Sequence, residues 1–370
     1  MERSRDTHST YLPGIEALKN AECLDSKDML EPDIVEPYLS EDAHWHYLDH
    51  PSFHEYVRMP KVIVDSGGAQ KLIEIADDLA GESMPRFLDA AGWAYAEAGL
   101  ALSDDSAEHR VQLVCEAERI WHRALVNDLT LGGRYQEQWL SNEDTSHRLA
   151  LNLAFAPLIK SIIIGNVSEG VYQSVMRDTA SIATDSSRVL DEAYARGDTK
   201  TSGHHWGFLF EVNGLMTLLN MKDARYVPLP STARADTGYY YASQTHDISI
   251  INQHWGEIRK VIPVEIKSRS TRKDRQRYKA LLIRGKMHLS VNDYDPRSTV
   301  RAFQGIVDET ASDKEIASIE TISNQLRNML RLYQQGVTPE GFAIDSLTRF
   351  HDTNKVVEVY PELSKLRRKK

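Results

Sequence analysis

Near the middle of this 370-residue chain, Asp247, Glu265 and Lys267 have the types and spacing that phosphoryl chemistry needs. Asp247 opens the run Ile248-Ser249-Ile250-Ile251, and Glu265-Ile266-Lys267 closes the run Val261-Ile262-Pro263-Val264. The stretch Gln253-His254-Trp255-Gly256-Glu257-Ile258 joins them, so the simplest pairing is an antiparallel hairpin. If Gln253 pairs with Arg259, Asp247 falls opposite Glu265 with Cβ atoms about 5 Å apart. Lys267, two residues on, then shares their face. Hard carboxylate oxygens at that separation suit Mg²⁺, with Mn²⁺ as a substitute, held against a phosphate. Such a cation lowers the pKa of a bound water and neutralises charge building on a phosphoryl transition state, while Lys267 can orient the attacking water. Phosphodiester hydrolysis is the reaction this trio fits best.

The trio needs a sheet to hold it and a helix beside it. Trp206 to Met221 reads as a densely apolar helix whose sole acidic residue is Glu211, with Gly207 and Gly214 on the same face. Strand patterns follow at Gly238–Ser243, Asp247–Gln253 and Lys260–Ser268, then helical patterns at about Arg272–Gly285, Val300–Asp308 and Asp313–Gln335. This order, with an acidic residue opening one strand and Glu-x-Lys on the next, resembles the PD-(D/E)xK nuclease superfamily across residues 201–290. The resemblance implies a restriction-endonuclease-like αβββα core with a mixed sheet; with the helical periodicity before it, the expected chain is α/β, α+β overall, an all-α N-terminal domain followed by that core. It implies Asp247, Glu265, Lys267 and Glu211 as catalytic residues, with Asp247, Glu265 and Glu211 as ligands of Mg²⁺ or Mn²⁺. DNA is the expected substrate because most of that superfamily acts on DNA. His246 stands where the pattern's proline would be, and Gln276 is followed by Tyr278 rather than by a tyrosine at 280.

Around this core the chain divides into residues 1–65, irregular; 66–200, helical; 201–336, nuclease-like; and 337–370, a tail with a basic end. Apolar residues at three- and four-residue intervals mark helices at Gln70–Ala80, Pro85–Leu102, Ala107–Leu129, Ser146–Ile164 and Ser168–Arg196. Trp93, Tyr95 and Ala98, with Val111 to Leu125, faintly resemble one tetratricopeptide-like hairpin, without the repeats a solenoid requires. Arg196 to Gly203 reads as a helix end, a polar linker and a new cap.

Composition, at 41% apolar and 26% charged, is that of an ordinary globular protein. The net charge of −10 opposes nonspecific coating of nucleic acid. Charge is unevenly spread: residues 257–297 carry twelve Lys or Arg against five Asp or Glu. Arg269, Arg272, Lys273, Arg275, Arg277 and Lys279 are therefore the candidate phosphate contacts, with a solvated face as the competing reading. Ser231, Thr232, Arg234 and Gln244 are further candidates for a phosphate groove. Cys23 and Cys115 have no metal or redox spacing, no apolar run approaches the length of a membrane span, and a cytoplasmic protein is expected. His44, His46, His50 and His54 could supply metal ligands, but Pro51 reads as interrupting any helix that would align them. His204 and His205, before the Glu211 helix, read as capping or packing residues, with help at the site or contact with phosphate as the alternative reading. The expected activity is metal-dependent cleavage of DNA, with room for a protein partner on the helical domain and for a homo-oligomer. The alternative is a non-cleaving nuclease-fold scaffold that binds nucleic acid or protein.

Overall fold

The computed structural model describes residues 50–59, 66–102, 105–135, 145–230, 248–254, 257–268, 287–291, 296–334, 342–345 and 356–358. Within them the chain is α+β and mostly helical. Helices α1 (Pro51–Arg58), α2 (Ser66–Leu79), α3 (Pro85–Ala101), α4 (Ala107–Tyr135), α5 (Thr145–Ile164), α6 (Glu169–Arg196) and α7 (Thr199–Leu219) come first. Strands β1 (Tyr226–Pro230), β2 (Ile248–His254), β3 (Glu257–Ser268) and β4 (Met287–Val291) follow, then α8 (Pro296–Val307), α9 (Asp313–Gln334), β5 (Phe342–Asp345) and β6 (Val356–Glu358).

Of residues 1–65, read as irregular, only 50–59 are described, and 51–58 of these form helix α1. Pro51 begins this helix rather than breaking one, because a residue in the first turn needs no intrahelical N–H partner. In the helical half, α3 and α4 approach closely. Trp93 and Trp121 meet edge-on at 5.2 Å between centroids. Arg110 Nε donates to the Gly99 carbonyl at 2.8 Å. A Cβ on Gly99 would lie 2.8 Å from the Arg110 carbonyl oxygen, so only glycine permits this crossing.

Between α6 and α7 the chain turns on two residues. Gly197 is left-handed at φ 70°, and the Asp198 N–H reaches the Ala193 carbonyl at 2.9 Å, the closure expected of a glycine-ended helix. Asp198 then caps α7 by accepting from the Thr201 N–H at 3.1 Å. The buried apolar side chains before and after this turn belong to one continuous core. Helix α7 lies at its centre. Phe208, Leu209, Val212, Leu215, Met216 and Leu219 are buried around its circumference, as befits a helix between a helical layer and a sheet. It packs on α6, α8 and α9 and on strands β1 to β3.

All six strands form one sheet in the order β1-β2-β3-β4-β5-β6. β1, β2 and β3 are antiparallel neighbours, β4 runs parallel to β3, β5 runs parallel to β4, and β6 is antiparallel to β5. Strand β1 was not anticipated, because its sequence Tyr-Val-Pro-Leu-Pro carries two prolines. It is an edge strand. The Gln253 N–H donates to the Arg225 carbonyl at 3.0 Å, so alternation turns the backbone of 225, 227 and 229 toward β2 and leaves Pro228 and Pro230 on the open side. Residues 342–345 and 356–358, read as tail, instead supply β5 and β6. Strands of four and three residues are too short for their alternation to register as a pattern. The expected strand at Gly238–Ser243 and helix at Arg272–Gly285 lie outside the described residues.

Candidate active site

Chemistry at the proposed centre depends on how β2 and β3 are registered. Observed partners are Ile248↔Val264, Ser249↔Pro263, Ile250↔Ile262, Ile251↔Val261 and Asn252↔Lys260. Over these five pairs the offset is the one that would set Asp247 against Glu265. It changes only near the turn, where Gln253 pairs with Ile258 rather than with Arg259, across a bulge. The cause is local. Gln253 is committed to the chain entering β1, its backbone N–H to Arg225 and its Nε2 to the Ala224 carbonyl at 2.7 Å. The extra residue is absorbed at the turn end, away from Glu265. Asp247 itself lies outside the described residues.

Strand β3 reaches past the hairpin to pair with β4, matching Glu265 with His288 and Lys267 with Ser290. Pro263 is accommodated because its backbone faces the β4 side one position before that pairing begins at Val264. Val264 is buried in the core, and positions 265 and 267 alternate with it along β3.

Glu211 lies on α7. Its carboxylate is buried and accepts from Arg148 Nη1 of α5 at 3.2 Å. Arg148 also stands 5.7 Å from the Phe208 ring centre. A carboxylate carried into the core needs such compensation, and Arg148 supplies part of it.

Beside this pair is a polar cluster that reading the sequence missed, since its members come from three helices. His147 Nε2 lies 3.0 Å from an Asp185 oxygen, and Arg188 donates to the other oxygen at 2.9 Å. Ser186 Oγ and His205 Nδ1 are hydrogen-bonded at 2.8 Å, and the His147 and His205 rings meet edge-on at 5.2 Å. His205, read as preceding the helix that begins at Trp206, lies within α7 and is buried. Burial pushes Asp185 up, but hydrogen bonds from His147 and Arg188 outweigh burial and leave its carboxyl below the usual range. A depressed folded-state value stabilises the fold above the unfolded carboxyl value of about 3.9, and that contribution disappears as pH falls through the folded value. Asp185→Asn is expected to lower unfolding free energy by about 2 kcal/mol near neutrality. The gap from wild type should narrow as the pH drops below about 4, which urea titrations at several pH values would measure. A gap that stays constant into acid would contradict this role for the carboxylate.

The other candidates are distributed as follows. His50 contacts Glu82 at 3.3 Å and stacks on Phe87 of α3, while His44 and His46 lie outside the described residues. So do the basic residues Arg269, Arg272, Lys273, Arg275, Arg277 and Lys279, and Ser231, Thr232, Arg234 and Gln244. Among the described side chains, no group of three His, Cys, Asp or Glu is placed to hold a metal. One stretch, Ser146–Ile164 in α5, is long and apolar enough to cross a membrane, correcting the expectation that no such run exists. Two-thirds of it, 67%, is buried in the core, and it carries His147, Arg148, Asn152 and Lys160. Comparison with protein-family models, curated proteins and solved structures finds no match to this chain.

Proposed function

We propose that the chain is a metal-dependent nuclease of PD-(D/E)xK type that hydrolyses phosphodiester bonds in DNA. The observation that supports this reading is the β2–β3 register from Ile248 to Asn252, whose offset is the one that the expected pairing of Asp247 with Glu265 requires. Connectivity supports it as well. A central helix, α7, leads into three antiparallel strands and then a parallel fourth, in keeping with the mixed sheet of a restriction-endonuclease-like core. No comparison with known proteins contributes to it.

In this reading Asp247 and Glu265 hold Mg²⁺, to which hard carboxylate oxygens are suited. When bound, the cation activates water and offsets charge on the phosphate. Lys267 orients the attacking water and neutralises the phosphate oxygens as the P–O bond to the leaving group breaks. Residues 269–279 grip the DNA backbone through their six basic side chains named above. Glu211 is left out of the ligand set because Arg148 already compensates part of its charge.

Supercoiled plasmid incubated with the full chain is expected to become nicked or linear in Mg²⁺ or Mn²⁺ and to stay intact in EDTA. Binding to plasmid without cleavage under any of these conditions would favour the non-cleaving scaffold.

A further inference from the structure

Helix α1 fills a groove between α2 and α3. Phe53 and Tyr56, three residues apart and so on one face of α1, are both buried. The Phe53 ring meets Phe87 of α3 edge-on at 5.4 Å between centroids, with the Arg86 guanidinium 5.9 Å from its centre. Polar contacts flank these anchors. His50, at the N-cap of α1, lies 3.3 Å from a Glu82 carboxylate oxygen and stands 5.1 Å from the Phe87 ring. Ser52 Oγ donates to Asp78, and the Tyr56 hydroxyl donates at 3.3 Å to Glu97, itself buried. Each of these three contacts ends on a carboxylate of α2, of α3 or of the turn between them. In the opposite sense, Lys71 of α2 pairs with Glu55 of α1 at 3.2 Å.

We propose that this groove is a docking site for an amphipathic helix of a partner protein, and that α1 occupies it in cis until the partner displaces it. An apolar face laid into a groove and read through anchors three residues apart is a general mode of helix recognition. The groove stands without α1, because α2 and α3 pack on each other and α3 is fixed to α4 at Trp93 and Trp121. Helix α1 does not stand without the groove, since eight residues are too few to hold a helix in water. Its ordering cost is met by two aromatic anchors, the Tyr56 hydroxyl and otherwise exposed contacts, so it opens more readily than the helices beneath it. A segment that merely sealed the core would need only the anchors. The acidic rim adds selection for a helix that carries donors ahead of its aromatic pair and a carboxylate within it. At Ser52 the fit of α1 is incomplete: a neutral hydroxyl faces Asp78, where a cation would gain a charge-assisted bond. A basic residue at that place marks the partner and lets it compete with a tethered helix. The groove belongs to the helical half, and its occupancy is independent of any nuclease activity.

The probe is a fluorescently labelled synthetic peptide of residues 46–60 carrying Ser52→Lys, titrated into the full chain. Phe53→Ala combined with Tyr56→Ala loosens the chain's own α1. Anisotropy is expected to show at least about tenfold tighter binding to this double variant than to wild type, because an occupied site lowers apparent affinity in proportion to its open fraction. The peptide of native sequence should bind about two- to fivefold more weakly than the Ser52→Lys peptide, and a peptide without the two aromatic residues should not bind. Hydrogen exchange on wild type decides the matter where the double variant does not fold. Residues 51–58 should exchange faster than α2 and α3, and excess Ser52→Lys peptide should speed that exchange further while α2 and α3 stay protected. No saturable binding to the folded double variant, equal affinity of the two peptides, or residues 51–58 as protected as α2 and unmoved by the peptide overturns the proposal. So does a wild-type chain that sediments as a dimer and becomes monomeric in the double variant, which assigns the groove to α1 of a second copy.

Discussion

Lys267→Ala is expected to slow plasmid cleavage by about two to three orders of magnitude, the usual loss when one charge-stabilising donor is removed from a phosphate or oxyanion site. Both proposed metal ligands, Asp247 and Glu265, remain. DNA binding in the presence of metal should therefore persist, and the loss should fall on the rate of the chemical step. The contrary reading is specific. If Glu265 and Lys267 are only an exposed ion pair of β3, their interaction is worth under about 1 kcal/mol and the substitution changes neither cleavage nor stability measurably. Lys267 stands one residue from the end of β3, so a melt near the wild-type value is expected in either case.

Gly92→Ala is the second large effect, and it falls on the fold. An exchange of glycine for alanine inside a helix ordinarily stabilises by about 1 kcal/mol. At this position in α3 the added Cβ would lie 2.3 Å from Trp121 Nε1 and 2.6 Å from its Cδ1. Trp121 is fully buried, edge-on to Trp93, with its ring N–H directed at the Asp89 carbonyl at 3.4 Å, so the ring has nowhere to retreat. Overpacking of a rigid ring costs about 1–3 kcal/mol and here more than cancels the helix gain. Urea titration should show net destabilisation of about 2 kcal/mol, and Trp121→Leu should relieve part of it in the double variant. A Gly92→Ala chain as stable as wild type, or more so, would contradict the close packing of α3 on α4.

What the sequence made legible follows from the range of each signal. Long helices announce themselves through apolar periodicity, and the α6–α7 turn through Gly197 and Asp198. The β2–β3 offset was reached from an assumed pairing of Gln253 with Arg259 that the structure does not form, and it holds from Ile248 to Asn252 because a bulge takes up one residue at the turn. The bulge at Gln253 was not, because it is set by Arg225 and Ala224 from outside the hairpin. β1 was hidden by Pro228 and Pro230, which local propensity excludes and an edge position admits. β5 and β6 were hidden by shortness. Glu211 was identified as unusual for sound reasons, a lone carboxylate in an apolar helix, yet its partner Arg148 is 63 residues away and no spacing rule could supply it. The cluster of His147, Asp185, Ser186 and His205 was illegible for the same reason.

The measurement that bears most directly on the nuclease assignment is the Mg²⁺-dependent nicking rate of wild type beside Lys267→Ala at equal DNA occupancy, with thermal melts of both. The expected result is cleavage by wild type that EDTA stops, and a folded, DNA-bound variant slower by at least about a hundredfold. A folded Lys267→Ala chain that nicks at the wild-type rate, or a wild-type chain that binds plasmid and leaves it intact in Mg²⁺ and Mn²⁺, would contradict it.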